Sequence, residues 1–305
     1  MNSHLERPKW GQIWWQLTRP HTLTASFVPV LIGTILALFY SRFHFFLFLA
    51  MMLACLFIQI ATNLFNEYYD FKRGLDTKDS VGIGGAIVKG ELKPGTILNA
   101  ALLLYGLSIL LGVYICMNSS WWLAMVGLAG MAVGYLYTGG PLPIAYTPFG
   151  EVLAGLFMGS MFILISFFIQ TGFVSRESIL ISVPVAILVG AINMGNNIRD
   201  LEGDREFGRK TLAILIGPKG AVVILAGMFI AAYAGIIGLV IWDAASPWLL
   251  IVLLSFKKPI DAVKGFKGRT SAKEMMAAMK ATAQTNTIFG FLICIALLIQ
   301  FFIEK

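Results

Sequence analysis

Hydrophobic residues gather into nine runs, at 22–40, 45–70, 95–116, 120–138, 150–172, 177–200, 219–242, 246–256 and 285–303, parted by short polar connections. A helix that crosses a bilayer needs about 20 residues at 1.5 Å each, and most of the runs reach that length. None shows the two-residue alternation of a barrel strand, and lipid tolerates only helices or closed barrels. The pattern predicts an all-α integral membrane protein, nine transmembrane helices bundled around a central cavity. The eighth run is short: it crosses, or continues as a helix through Lys257 into the cytoplasm, or does not cross at all. Ahead of the first run, Trp10, Ile13, Trp14 and Leu17 recur at helical spacing with Trp15 beside them. That spacing predicts an interfacial segment within residues 1–20. With Arg7, Lys9 and Arg19 and no apolar stretch among them, this segment is not expected to be a cleavable signal.

The polar interruptions repeat. Asn63-x2-Asn66-x3-Asp70 and Asn193-x2-Asn196-x3-Asp200 are offset by 130 residues, and the second continues to Asp204. Spacings of three, four and seven put these side chains on one face of a helix. The strings close the second and sixth runs, four runs apart, as expected of two related four-helix units plus one helix. Amide and acidic side chains near membrane depth are costly, so they point to a site. The competing reading is that they merely hydrogen-bond neighbouring helices.

Composition sharpens the class. The 305 residues are 58% hydrophobic and 13% charged, against about 25% charged in soluble domains. No polar linker divides the chain, so residues 1–305 read as one membrane domain. With nine spans and the N-terminus inside, 20 of the 23 Lys and Arg fall in interior loops, leaving Arg42, Arg176 and Lys305 outside. This positive-inside asymmetry accounts for the net charge of +7 without nucleic acid. It predicts a multi-pass protein of the cell membrane with both strings on the cytoplasmic side, under the loops 71–94 and 201–218. Eight spans would relocate only the C-terminal Glu304-Lys305. Cys55, Cys116 and Cys294 lie singly in apolar runs and read as small core residues.

The candidate chemistry is that of hard oxygen ligands. Asp70, Asp200 and Asp204 supply carboxylates, Asn66 and Asn196 amide oxygens, and no His or Cys lies near either string. That set selects Mg²⁺ over softer metals. Lys72, Arg73, Arg199, Arg209 and Lys210 stand within about two helical turns of the carboxylates, suited to hold a diphosphate and neutralise it as it leaves. Lys78 and Arg205 read as ordinary basic loop residues. Asn63 and Asn193 extend the polar faces toward the apolar interior and are candidate substrate contacts. The glycine-rich string Val81–Ala86 lacks the spacing of a phosphate-binding Walker loop and reads as a lid or linker. Residues 257–280, with seven basic and two acidic side chains, read as an interfacial anchor. A greasy cavity under a metal-and-cation mouth suits a polyprenyl diphosphate. Its loss of diphosphate leaves an allylic cation to be shielded from water, and Tyr68, Tyr69, Tyr135 and Tyr137 offer ring faces to it.

These residues resemble the UbiA-type intramembrane prenyltransferases. Asn196-Asn197-x2-Asp200-x3-Asp204 fits the second aspartate-rich motif of that family, whereas the first departs: Gly74 stands four after Asp70, and the next acidic residue is Asp76. The string from Asn63 to Asp76 looks like the branch that acts on 1,4-dihydroxy-2-naphthoate. So do Ser80–Gly85, Leu136–Pro141, Tyr146–Glu151, Asn197–Arg205 and Gly208–Ala213. The resemblance implies nine transmembrane helices, an opening to membrane lipid and Mg²⁺-dependent diphosphate binding by Asn66, Asp70, Asn196, Asp200 and Asp204, with Asp76 matched less closely. For this branch it implies transfer of a polyprenyl group to 1,4-dihydroxy-2-naphthoate with loss of CO₂, giving demethylmenaquinol. Asp70, Asp200, Asp204 and Tyr137 would carry the catalysis, with Glu67, Tyr137 and Glu151 as candidate bases. Where other branches often place a Lys one turn after the tyrosine, this chain has Pro141. Two alternatives stand beside this reading: a relative acting on another aromatic or lipid acceptor, and a secondary transporter using the paired Asn/Asp strings as ion sites.

Overall fold

A computed structural model describes residues 10–41, 43–76 and 85–304. Arg42, Lys78, Lys305 and most of the glycine-rich string lie outside them. Among the described residues every regular element is helical. In chain order these are α1 (Trp10–Leu17), α2 (Pro20–Ala37), α3 (Phe45–Lys72), α4 (Pro94–Asn118), α5 (Trp122–Leu136), α6 (Gly150–Thr171), α7 (Arg176–Arg199), α8 (Leu201–Glu206), α9 (Leu212–Ile241), α10 (Lys257–Phe266) and α11 (Ala272–Glu304). Short 3₁₀ turns at Ile144–Tyr146 and Pro247–Ser255 complete the set.

Six of these helices, α3, α4, α6, α7, α9 and α11, are long and apolar enough to cross a membrane. The protein is therefore a multi-pass membrane protein. The other three apolar runs form shorter pieces, each with a local cause. Pro20 fixes the first turn of α2 after Arg19, whose backbone is left-handed (φ 49°), and the chain bends by 60° between α1 and α2. Gly139, Gly140 and Pro141 follow the 15-residue α5 and stop it. The eighth run is the nine-residue turn Pro247–Ser255, after which the chain runs on as α10 from Lys257. Two helices exceed their apolar runs. α11 starts 13 residues before 285, because Met275, Ala278 and Met279 give its first turns a buried face. α9 starts at Leu212 and is broken at Gly217 (φ 74°), just before Pro218.

The two halves pack alike: α3 lies along α4, and α7 along α9, each pair in extensive contact. α6 presses on α7 through Gly155 and Gly159. A Cβ on either would stand 2.5 Å or less from the backbone of Ala186. Small residues four apart allow this approach where lipid gives no hydrophobic drive to association, and the helix passes through a π-helical turn there, Gly155–Ser160. Leu102, Leu103 and Leu110 of α4 and Val223 and Ile230 of α9 are exposed, as lipid-facing positions are. α1 buries Ile13 and Leu17 and exposes Trp10 and Trp15, the amphipathic pattern its sequence predicts. The three cysteines are free and buried.

Candidate active site

α3 and α7 end together at one end of the bundle, and their last turns line a polar cavity of about 840 Å³. Beneath it lies an apolar cavity of about 350 Å³, walled by residues such as Met51, Ile58, Phe157 and Ile192. Both volumes are in the range of ligand pockets. Six residues line both: Arg19, Thr22, Asn66, Tyr137, Asn193 and Asn196. This seam is where polar and apolar space meet.

The polar cavity gathers Asp70, Asp76, Asp200 and Asp204 with Arg19, Arg199, Arg209 and Lys280. α7 ends at Arg199, Asp200 leaves the helical conformation, and α8 begins anew at Leu201. The expectation that Asp204 simply continues the same helix is thus corrected. A backbone hydrogen bond from Asp204 N–H to Asp200 C=O (2.8 Å) nevertheless keeps the two carboxylates one turn apart. Arg199 donates Nε and Nη2 to the two oxygens of Asp200, at 2.7 and 2.6 Å. Gly208, left-handed at φ 76°, turns the chain back so that Arg209 N–H reaches the Asp204 carbonyl (3.0 Å). The Arg209 guanidinium then forks, Nη1 to Asp204 Oδ1 and Nη2 to Asp70 Oδ1, both at 2.9 Å, over the ring of Tyr146. Burial opposes the Arg209 charge, but the Asp204 and Asp70 carboxylates outweigh it and raise its pKa. Burial lifts Asp204 to about 6 against the pull of Arg209. It lifts Asp76 to about 6 as well, helped by the neighbouring Asp70 charge.

The donor set is all oxygen, so it fits Mg²⁺. Among the described residues no three acidic, His or Cys side chains close on a common point. Mg²⁺ is commonly bound by one or two carboxylates plus substrate phosphates, not by an all-protein cage. The open arrangement suits a cation that arrives with a diphosphate.

Other predicted site residues line the apolar cavity or the seam, or point outside the polar cavity. Asn63 faces the apolar cavity and donates to Thr18 C=O (2.9 Å) and Thr22 Oγ1 (3.2 Å), tying α3 to the start of α2. Arg73 turns away to donate to the carbonyls of Thr138 and Gly140, since those carbonyls follow the end of α5 and need donors. Lys72 is exposed over the Tyr68 ring, and Lys210 is exposed while its backbone N–H binds Tyr146 C=O. Glu67, one of the candidate bases, is buried and accepts from the N–H groups of Gly85 and Ile87 (2.8 and 3.2 Å). Its oxygens anchor the loop. Glu151 is buried and accepts from Asn197 Nδ2 at 2.7 Å. Tyr137 donates to Asn193 Oδ1, and Asn66 Oδ1 accepts from Thr138 Oγ1 at 2.8 Å. Arg19 and Lys280 were not singled out from sequence. They lie 51 residues before Asp70 and 76 after Asp204, so no local spacing ties them to the repeated strings.

Comparison with known proteins gives consistent likenesses. The UbiA prenyltransferase family pattern matches residues 26–280. The chain is 67% identical over 297 residues to a Bacillus subtilis (strain 168) protein named 1,4-dihydroxy-2-naphthoate octaprenyltransferase, covering 97% of this chain and 96% of that one. A Mycobacterium tuberculosis (strain ATCC 25618 / H37Rv) protein of the same name is 26% identical, covering 93% and 96%. Among solved structures, a UbiA homologue from Archaeoglobus fulgidus bound to GPP and Mg²⁺ superposes with a TM-score of 0.65 at 15% identity, covering 92% of this chain and 99% of that one. That last likeness speaks to the fold.

Proposed function

The chain belongs to the UbiA prenyltransferase family, and on that footing we infer that it transfers a polyprenyl group from an allylic diphosphate to 1,4-dihydroxy-2-naphthoate, with release of diphosphate and CO₂, in menaquinone synthesis. The observation that carries this reading is the seam: a cavity of carboxylates and arginines opens directly onto an apolar one. No ion-transport role fits this pairing as well, because an ion needs no greasy chamber.

In this reading the diphosphate lies in the polar cavity and the isoprenoid tail in the apolar one. Asp70, Asp76, Asp200 and Asp204, with Asn66 and Asn196, hold the Mg²⁺–diphosphate. Bound Mg²⁺ supplies positive charge to the departing diphosphate oxygens. Arg199, Arg209 and Lys280 take up the remaining negative charge. The C–O bond breaks with its electron pair on the diphosphate, and the allylic carbon lies at the seam beside Tyr137. The apolar walls keep water from it. A ring carbon of the naphthoate supplies the pair for the new C–C bond, and the carboxylate leaves as CO₂ with its bonding pair returned to the ring. Tyr137 and Asn193 position the acceptor hydroxyl. The 20-to-3 basic asymmetry supports nine membrane segments, with the polar cavity on the cytoplasmic face of the cell membrane.

The test is to incubate membranes containing the protein with Mg²⁺, a polyprenyl diphosphate and candidate acceptors, and to weigh the products. The naphthoate product should gain one prenyl group and lose its carboxyl. Prenylation of 4-hydroxybenzoate with the carboxyl kept, and the naphthoate ignored, would sink the acceptor assignment.

A further inference from the structure

Arg209 stands between the two carboxylates that the repeated strings bring from opposite halves of the chain. Its two terminal nitrogens each lie 2.9 Å from a carboxylate oxygen, one on Asp70 and one on Asp204. Both are oxygens that a hard cation would seek. We propose that Arg209 is a positioning residue that holds this place while the metal is absent and passes to the diphosphate when metal and diphosphate arrive together. The cation is then retained only in company with its diphosphate. The proposal rests on Asp70 and Asp204 being carboxylates that serve the metal.

Three observations support the exchange. First, Arg209 differs from Arg199, whose fork is spent on the single adjacent residue Asp200; among the described residues Arg209 alone ion-pairs with both clusters, across 139 residues of sequence to Asp70. Second, the polar cavity is lined by five carboxylates, Glu202 included, and four cations, which leaves one formal negative charge. A diphosphate ester alone meets like charge there, and a divalent cation alone meets the Arg209 charge on the same oxygens. Like charges a few ångströms apart in a half-buried site repel strongly. Together, metal and diphosphate present each group with an opposite charge. Third, Arg209 follows the left-handed Gly208 and lies on the Tyr146 ring. The side chain can therefore leave the carboxylates without disturbing a helix, and a planar fork suits phosphate oxygens as well as carboxylates.

The experiment uses the full chain in detergent, with Mn²⁺ as a spectroscopic stand-in for Mg²⁺ and inorganic pyrophosphate as the diphosphate probe. Bound Mn²⁺ is counted by electron paramagnetic resonance. In the wild-type protein pyrophosphate should tighten Mn²⁺ binding at least about tenfold, within the usual span of coupling between two ligands. Arg209→Gln should bind Mn²⁺ alone about tenfold more tightly than wild type and lose most of the gain from pyrophosphate. Lys280→Gln removes an equal charge from the same cavity without freeing a carboxylate, and should leave binding of Mn²⁺ alone within about threefold. The proposal is overturned if Arg209→Gln does not tighten Mn²⁺, or if Lys280→Gln tightens it as much. Should Arg209→Gln not fold, the wild-type measurement decides: equal Mn²⁺ affinity with and without pyrophosphate overturns the exchange. Asp70→Asn separates the two claims. If it binds Mn²⁺ with pyrophosphate as wild type does, the ligand assignment fails, whatever Arg209 does.

Discussion

Tyr137 donates a 2.6 Å hydrogen bond to Oδ1 of Asn193, its partner 56 residues further on, at the rim shared by the two cavities. Room for it comes from Gly150, where a Cβ would lie 2.9 Å from the Asn193 amide nitrogen and 3.2 Å from the Tyr137 oxygen. That buried amide nitrogen has no hydrogen-bond partner among the described residues. The pair is held rigidly where the acceptor hydroxyl is proposed to lie. Tyr137→Phe removes one hydrogen bond of about 1 kcal/mol and frees the amide to turn. The expected outcome is a KM for the naphthoate raised about fivefold, with the KM for the prenyl diphosphate unchanged. Steady-state kinetics with each substrate varied in turn checks this; a change confined to the diphosphate KM would move Tyr137 to the other substrate.

The carboxylates should be far less forgiving. Asp70→Asn, Asp200→Asn and Asp204→Asn each remove a charged ligand from a site built on such ligands, and each is expected to lower turnover at least about a hundredfold. The fold should survive, since Asn is nearly isosteric and its amide oxygen can still accept the hydrogen bond that Arg199 or Arg209 donates. Turnover measured against Mg²⁺ concentration is the check. A variant with near-normal, Mg²⁺-dependent turnover removes that residue from the ligand set.

Acid should weaken the demand for metal and the response to it. Asp76 and Asp204 are both lifted to about 6 in the folded protein, from 3.8. Between about pH 4 and 6 the folded state therefore holds protons that the unfolded chain has released, and the metal-free protein loses stability as pH rises through that window. A divalent cation must displace those protons. Its half-saturating concentration should fall as pH rises from 5.5 to 7.5, and its gain in melting temperature should grow over the same interval. Melting curves with and without Mg²⁺ across that range test the sign; a metal-induced gain that shrinks as pH rises would contradict it.

A substitution far from the chemistry probes the packing. A Cβ at Gly159 would stand 2.4 Å from Ala186 Cα and 2.9 Å from its backbone nitrogen, and backbone atoms cannot turn aside. Gly159→Ala should push α6 from α7 and destabilise the protein by about 1–3 kcal/mol, the usual cost of overpacking. Thermal unfolding in detergent measures it; an unchanged melting temperature would mean that the two helices part more easily than their contact implies.

Much of this molecule is legible in the bare sequence, and the gaps have physical causes. Asn66, Asp70, Asn196, Asp200 and Asp204 are readable because polar residues stand out against an apolar background and helical spacing assigns them a face. The directions of Arg73, Lys72 and Lys210, which do not line the polar cavity, are not legible for the opposite reason: basic residues abound on this side, and proximity in sequence does not set direction. Arg73 turned to the orphan carbonyls after α5, a demand that no local pattern announces. Arg19 and Lys280 are invisible because tertiary folding alone brings them beside residues far along the chain. Hydropathy also blurs helix ends, so the first 13 residues of α11, with one apolar face only, escape a search for continuous apolar runs.

On the proposed placement of the substrates, the seam between the two chambers also decides where each product goes. Before the transfer, one substrate straddles both spaces, with its charge on one side and its hydrocarbon on the other. Afterwards that molecule has been divided at the boundary. The diphosphate remains among arginines that open to water, while the prenylated quinol, which has lost its carboxylate, has no charge to hold it there and dissolves into the bilayer. The reaction thus sorts its products by solubility and needs no carrier for either. In sealed vesicles containing only this protein, diphosphate should accumulate in the aqueous phase facing the polar cavity and the quinol in the lipid; diphosphate on the opposite side of the bilayer would contradict that division.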